Sequence, residues 1–311
     1  MRFLAACCLL TAAAIASPAA AQDLPRERRD RRLEARLAEL AKDVRGTVGI
    51  YVRHLRTGRT AELNADSVFP TASMIKVPIL AATYDAIHRG TLSFDTTLTY
   101  LDSLDYTDEA DILVMAADST RIPLGRVIML MITMSDNTAA LWLQALSGGG
   151  TRINEWLDAN GFDSTRMNSR TPGRRAIWEK YGWGQTTPRE IARLLTMIRR
   201  GEAVSRGASE EMYRVLTRIY WNGQALSQLP PWVQAASKQG AVDASRSEVV
   251  LVNAPSGDYV FAVITKNLAD TSYGMDNEGY VLIRKVSALL WKTFEPKHPW
   301  SPDPEAVRYK E

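Results

Sequence analysis

Thr71-Ala72-Ser73-Met74-Ile75-Lys76 follows the turn-like stretch NADSVFP, residues 64–70, and opens the apolar run VPILAATYDAI, residues 77–87. The run reads as a helix, so Ser73 and Lys76, three positions apart, share one face. A serine hydroxyl becomes an effective nucleophile when a base takes its proton, and a lysine serves if burial or a nearby cation lowers its pKa. The same pair is equally at home in the first turn of an ordinary helix, and about one S-x-x-K arises by chance in a chain this long. Residues elsewhere have to decide.

Two further stretches supply candidate partners. Ser135-Asp136-Asn137, in MSDNTAA, is a tripeptide that chance supplies in about one chain in twenty. It offers a hydroxyl to relay a proton, an amide to hold a substrate carbonyl, and a carboxylate to fix a turn. Asp136 or Ser135 would equally cap the helix NTAALWLQAL. Lys238-Gln239-Gly240, in SKQGAV, sets a cation and a side-chain-free position at the edge of a sheet, where an anionic substrate can approach the backbone closely.

Outward from these stretches, the two chain ends read as strands and the interior as helices. GTVGIYVRHLRTG and TAELNAD near the start, and SEVVLVNAP and YVFAVITKN near the end, have strand patterning broken by turn residues. VPILAATYDAIHRG, IPLGRVIMLMIT, NTAALWLQAL, TRINEWLDANG and TPREIARLLTMIRRG read as helices, with SGGGT, residues 147–151, as a connection between two of them. Leu33, Leu37, Leu40 and Val44 mark an amphipathic leading helix, and Tyr280, Leu282, Ile283, Val286, Leu289 and Leu290 a closing one. The pattern predicts an α/β (α+β) fold: an antiparallel sheet built from both chain ends, with a helical subdomain inserted over about residues 80–230. The tail, residues 297–311, reads as irregular.

Composition excludes several classes. Of 311 residues, 46% are hydrophobic and 23% charged, and 38 basic against 35 acidic side chains leave a net charge of +3, which gives no support to nucleic-acid binding. Residues 1–21 resemble a secretory leader: Arg2, an apolar segment, then small residues up to Ala21. Export to the periplasm or medium is the expectation, with the mature domain spanning residues 22–296 as a monomer. Cys7 and Cys8 fall inside the leader, so the mature chain would carry no thiol. LAAC also has the form of a lipoprotein box, but Cys7 follows too short an apolar region. No later run is long enough to span a bilayer. His54, His88 and His298 are widely separated, so neither a metal site nor a Ser-His-Asp triad is supported, and no cofactor is expected.

SMIK, SDN and KQG occur in the order and approximate spacing of the penicillin-recognising serine hydrolases, and the chain most resembles the class A β-lactamases. PTASMIKVPIL, SDNTAALWL, TTPREIARLL and the RSEVVLVNAPSGDYVFAVITKN hairpin extend the resemblance over roughly residues 37–294. It implies a β-lactamase/transpeptidase-like fold acting on a β-lactam or a peptidoglycan-like amide. It implies Ser73 as the acylated nucleophile, Lys76 as its proton acceptor, Ser135 as proton donor to the departing nitrogen, Asn137 as a ligand of the substrate amide, and Lys238 as a source of positive potential. Gln239 and Gly240 would line the substrate site, Ser73 and Ala241 would give oxyanion-binding N–H groups, and Arg246 would assist a substrate carboxylate.

Two departures stand out. Gln239 occupies a position where the family usually has a hydroxyl residue. Thr171 falls where the family places the glutamate that activates the deacylating water, and Arg175 falls at the companion asparagine position. Glu179 is the one acid nearby, available either as a substitute base or for an ion pair with Arg174 or Arg175.

Overall fold

The computed structural model describes residues 23–104 and 111–309, so the expected leader, with Cys7 and Cys8, lies outside the described residues. Six strands form the main sheet: β1 (Arg28–Arg29), β2 (Thr47–His54), β3 (Arg59–Leu63), β4 (Ala235–Val242), β5 (Ser245–Val252) and β6 (Tyr259–Lys266), in the order β1-β3-β2-β6-β5-β4. The two chain ends meet where β6 pairs antiparallel with β2, from Tyr259 opposite His54 to Lys266 opposite Thr47.

β5 and β6 are buried almost throughout because helices cover both faces. On one face, Ile50, Val52, Val250, Phe261 and Val263 pack against Leu33 and Leu37 of α1 (Arg31–Ala41) and Leu282, Ile283 and Val286 of the closing helix Glu278–Phe294. On the other, Val249, Leu251, Val260, Ala262 and Ile264 meet Ile191, Leu194 and Leu195 of the helix Pro188–Arg200. The alternation follows the two-residue period of a strand. The helix Pro188–Arg200 starts where Thr187 accepts the Glu190 N–H and stops at Gly201, whose φ of 80° is easy only for glycine.

The helices in chain order are α1, α2 (Lys76–His88), α3 (Leu124–Met129), α4 (Asn137–Leu146), α5 (Gly149–Ala159), α6 (Arg175–Tyr181), α7 (Pro188–Arg200), α8 (Arg206–Leu216) and α9 (Glu278–Phe294). The inserted subdomain, expected to be all-helical, also holds two small sheets: Thr97–Thr99 with Arg121–Pro123, and Gly184–Thr186 between Phe69–Pro70 and Arg166–Met167. α6, α8 and three further features also depart from the sequence reading. SGGGT is only partly a connection, since Gly149 and Gly150 already belong to α5. Past α3 the chain widens into a π-helical turn, Leu130–Met134, ending at Ser135 with φ 63°. In the tail, Pro304–Tyr309 forms a 3-10 helix.

Candidate active site

Ser73 lies in the 3-10 turn Ala72–Ile75 that leads into α2, so Lys76 starts the helix directly below it. Ala72 is held at φ 44°, an unusual conformation for a residue with a side chain, immediately before the candidate nucleophile. The turn is pressed against β4. A Cβ added to Gly240 would sit 2.6 Å from the Thr71 carbonyl oxygen and 2.7 Å from Ser247 Oγ. The glycine of KQG is therefore required by the approach of an edge strand to the serine turn.

Lys76 is fully buried, and its Nζ lies 3.1 Å from Ser73 Oγ and 3.1 Å from Ser135 Oγ. It also donates to the Ser135 carbonyl oxygen and, at 2.7 Å, to Asn137 Oδ1. The left-handed backbone of Ser135 turns both its carbonyl and its hydroxyl toward this amine. On the far side Lys238, also fully buried, donates from Nζ to Ser135 Oγ at 3.0 Å and to Gln239 Oε1 at 2.9 Å. Ser135 Oγ thus bridges two lysines. Burial, reinforced by the Lys76 charge, holds the Lys238 amine well below the usual lysine range, with Glu248 opposing the shift. A pair of amines this close sheds one proton far more readily than an isolated lysine.

The turn carrying Ser135 is fixed by two carboxylates. Asp136 accepts the Ala139 N–H at 2.7 Å as the cap of α4 and the Leu113 N–H at 2.8 Å, so its capping and turn-fixing readings both hold. Asp111, which no motif pointed to, accepts the N–H groups of Asn137 and Thr138, each at 2.7 Å. Burial and the neighbouring Asp136 push the Asp111 carboxyl above its ordinary value against these bonds. Below Gln239, Glu248 is buried on β5, accepting from Ser237 Oγ at 2.6 Å and the Ala225 N–H at 2.8 Å. Burial raises its pKa to about 7.

A cavity of about 360 Å³ opens over these groups and is lined by Ser73, Ser135, Asn137, Gln239, Gly240 and Ala241 from the sequence reading. Asp111, Met134, Trp221, Gly223, Gln224, Tyr273 and Tyr280 complete it. The aromatic residues carry no sequence signal, except that Tyr280 falls on the apolar stripe of α9.

Three candidates lie apart from this cavity. Arg246 is buried behind it, its guanidinium donating to the carbonyl oxygens of Asp243, Ser245, Thr271 and Ser272 and packed against the Tyr273 and Tyr280 rings. A cation so engaged ties down the 271–273 segment through both terminal nitrogens, and its Nε is left buried without a partner. Thr171 lines a separate cavity, donates to the Ser169 carbonyl at 3.0 Å and covers Gly150. Glu179 is exposed on α6 and pairs with Arg175 at 2.8 Å, so of its two readings the ion pair is the one observed. The segment bearing Thr171 is anchored by Gln144, which donates to Ser169 O, and by Arg174, which donates to Asn168 Oδ1.

The model of the Beta-lactamase enzyme family matches residues 32–294. The β-lactamase VEB-1 of Pseudomonas aeruginosa is 22% identical over 274 residues, covering 84% of this chain and 90% of its own. A Streptomyces fradiae β-lactamase is 29% identical over 172 residues, covering 50% of this chain and 56% of its own. Among solved structures, PBP-A superposes with a TM-score of 0.78 at 29% identity, covering 88% of this chain and 100% of its own, and a mutant of it was solved as an acyl-enzyme with penicillin G. A Sphaerobacter thermophilus β-lactamase gives a TM-score of 0.74 at 21% identity, over 86% and 98% of the two chains.

Proposed function

Because the chain belongs to the β-lactamase enzyme family, we propose that it is an exported acyl-serine hydrolase that opens β-lactam amides on Ser73 and releases the acyl group slowly. The observation that carries the reading is the continuous set of contacts Ser73–Lys76–Ser135–Lys238 under a single cavity.

In this reading Ser73 Oγ attacks the amide carbonyl carbon and its proton passes to the Lys76–Lys238 pair, entering at Lys76 Nζ, once the pair has shed one proton. Negative charge develops on the carbonyl oxygen, where the N–H groups of Ser73 and Ala241 receive it. When the C–N bond breaks, the nitrogen takes a proton from Ser135 Oγ, which recovers one from the lysines bonded to it. The ester on Ser73 remains, and water must remove it.

That second half-reaction is less well provided. Among the described residues the carboxylate lining the cavity is Asp111, committed to two backbone N–H groups, while Thr171 and Glu179 border other cavities. Together with the likeness to PBP-A, this favours a second reading in which the natural substrate is a cell-wall peptide amide and β-lactams act as long-lived acylating agents.

Intact-mass measurement over time, on wild type and Ser73→Ala mixed with penicillin, tests both halves. A single adduct on wild type, absent from Ser73→Ala and persisting for many minutes, is expected, and a chromogenic cephalosporin should give a stoichiometric burst and then stall. Sustained turnover would refute slow release; no adduct in either protein would refute the acyl-serine reading. Export rests on residues 1–21, and N-terminal sequencing of protein made in a bacterial host should begin at Gln22. Among the described residues no helix is long and apolar enough to cross a membrane.

A further inference from the structure

A second cavity of about 200 Å³ adjoins the first, and Gly223 lines both. Gln224 lines the first, and its Oε1 accepts Arg284 Nη1 of the second at 2.6 Å. Tyr280 and Arg284, one turn apart on α9, present a single helix face to both cavities. Pro302, Asp303 and Pro304, from the C-terminal segment, line the second cavity with Arg284.

Arg284 is half-buried and, among the described residues, bonds only neutral oxygens, those of Gln224 and of the Met275 carbonyl. Burial lowers its pKa, and no charge among the described residues contributes. Asp303, the acid in the same cavity, makes no ion pair with it and instead accepts the Glu305 N–H at 2.8 Å. A guanidinium has five N–H donors, and two of its nitrogens are satisfied here by uncharged partners. Desolvating such a cation without a counter-charge is costly, so among the described residues the cavity is short of one negative group.

We propose that this second cavity is a subsite for a carboxylate at the far end of the substrate's leaving group, with Arg284 as its cation. The proposal rests on the acyl-serine reading, in which the departing nitrogen is at Ser135. From there the wall is continuous: Trp221 Nε1 donates to the Met134 carbonyl at 2.7 Å, and Gly223 and Gln224 follow along the chain. A leaving group that crosses the first cavity and enters the second fits a chain longer than one amino acid better than a single small residue. The substrate class is then an extended or branched acidic peptide cut internally, rather than a peptide trimmed of a single terminal residue.

Titration calorimetry of two peptides against the Ser73→Ala chain tests this. They share the acyl half and a lysine leaving residue, whose Nε carries a succinyl group in one and a butyryl group, similar in length and neutral, in the other. The succinyl peptide should bind about ten-fold more tightly. Arg284→Gln should erase that preference, the two peptides then binding alike, and Arg284→Lys should retain part of it. Equal affinities for the Ser73→Ala chain, or a preference that survives Arg284→Gln, would overturn the subsite. Acylation of wild type by penicillin is scored separately: its absence sinks the acyl-serine reading, while the titrations still report on the subsite.

Discussion

Ser135 Oγ is bonded to two buried lysines, and both amines bear on one hydroxyl. Removing either amine has a different consequence. Lys76→Ala removes the base next to Ser73 and should slow acylation by roughly 10²–10⁴-fold, read as adduct formation by mass. Glu248 gives a pH signature in stability. Its pKa rises from an ordinary 4.5 to about 7 on folding, so the native state binds the extra proton between these values. Its contribution is fully present below about pH 4.5 and is lost as pH climbs through 7, by roughly 3 kcal/mol in total. Glu248→Gln keeps a neutral group there. The melting temperature of wild type relative to this variant should therefore fall between pH 5 and 8, and a constant difference would refute the assignment.

At the level of elements, the site depends on how closely β4 approaches the turn before α2. Gly240→Ala would drive a methyl group into the Thr71 carbonyl and Ser247 Oγ. A loss of about 1–3 kcal/mol in urea denaturation should accompany slower acylation, because the strand and the serine turn must separate. Asp136→Ala strips the α4 cap and leaves the Leu113 N–H unpaired, at a cost of about 2 kcal/mol by the same measurement. The segment carrying Thr171 is fastened through Gln144, Arg174 and the cover over Gly150, so its side chain faces α5. Thr171→Glu alone should leave the deacylation rate within about three-fold of wild type, and a large acceleration would mean that the segment can turn toward Ser73. These elements were unequally visible beforehand. α4, α7 and α9 announce themselves by caps and apolar stripes, whereas α6 buries no residue and so has no stripe to read. The π-turn before Ser135 continues the apolar pattern of α3 and differs from it only in backbone bonding.

For the whole molecule, the sheet made from both ends was legible because long strand patterns are confined to the chain's extremities, and the interval holds helices and only two- or three-residue strands. The core of the site was legible for a similar reason: Ser73, Lys76, Ser135, Asn137 and Lys238 sit in short motifs at element starts or on a strand. What escaped depends on contacts between distant loops. Asp111, Trp221 and Tyr273 reach the cavity from irregular segments, and the partners of Arg246 at Thr271 and Ser272 lie in a loop that no periodicity marks. Gly240 against Thr71 is the longest-range of these joints, and it has a consequence for how the chain matures. A reactive Ser73 requires contacts between the first and last quarters of the chain, which form late in a fold dominated by non-local pairing. A nascent or partly unfolded chain would then be chemically silent, and covalent labelling by a fluorescent penicillin would count completed molecules during refolding, one label per finished chain.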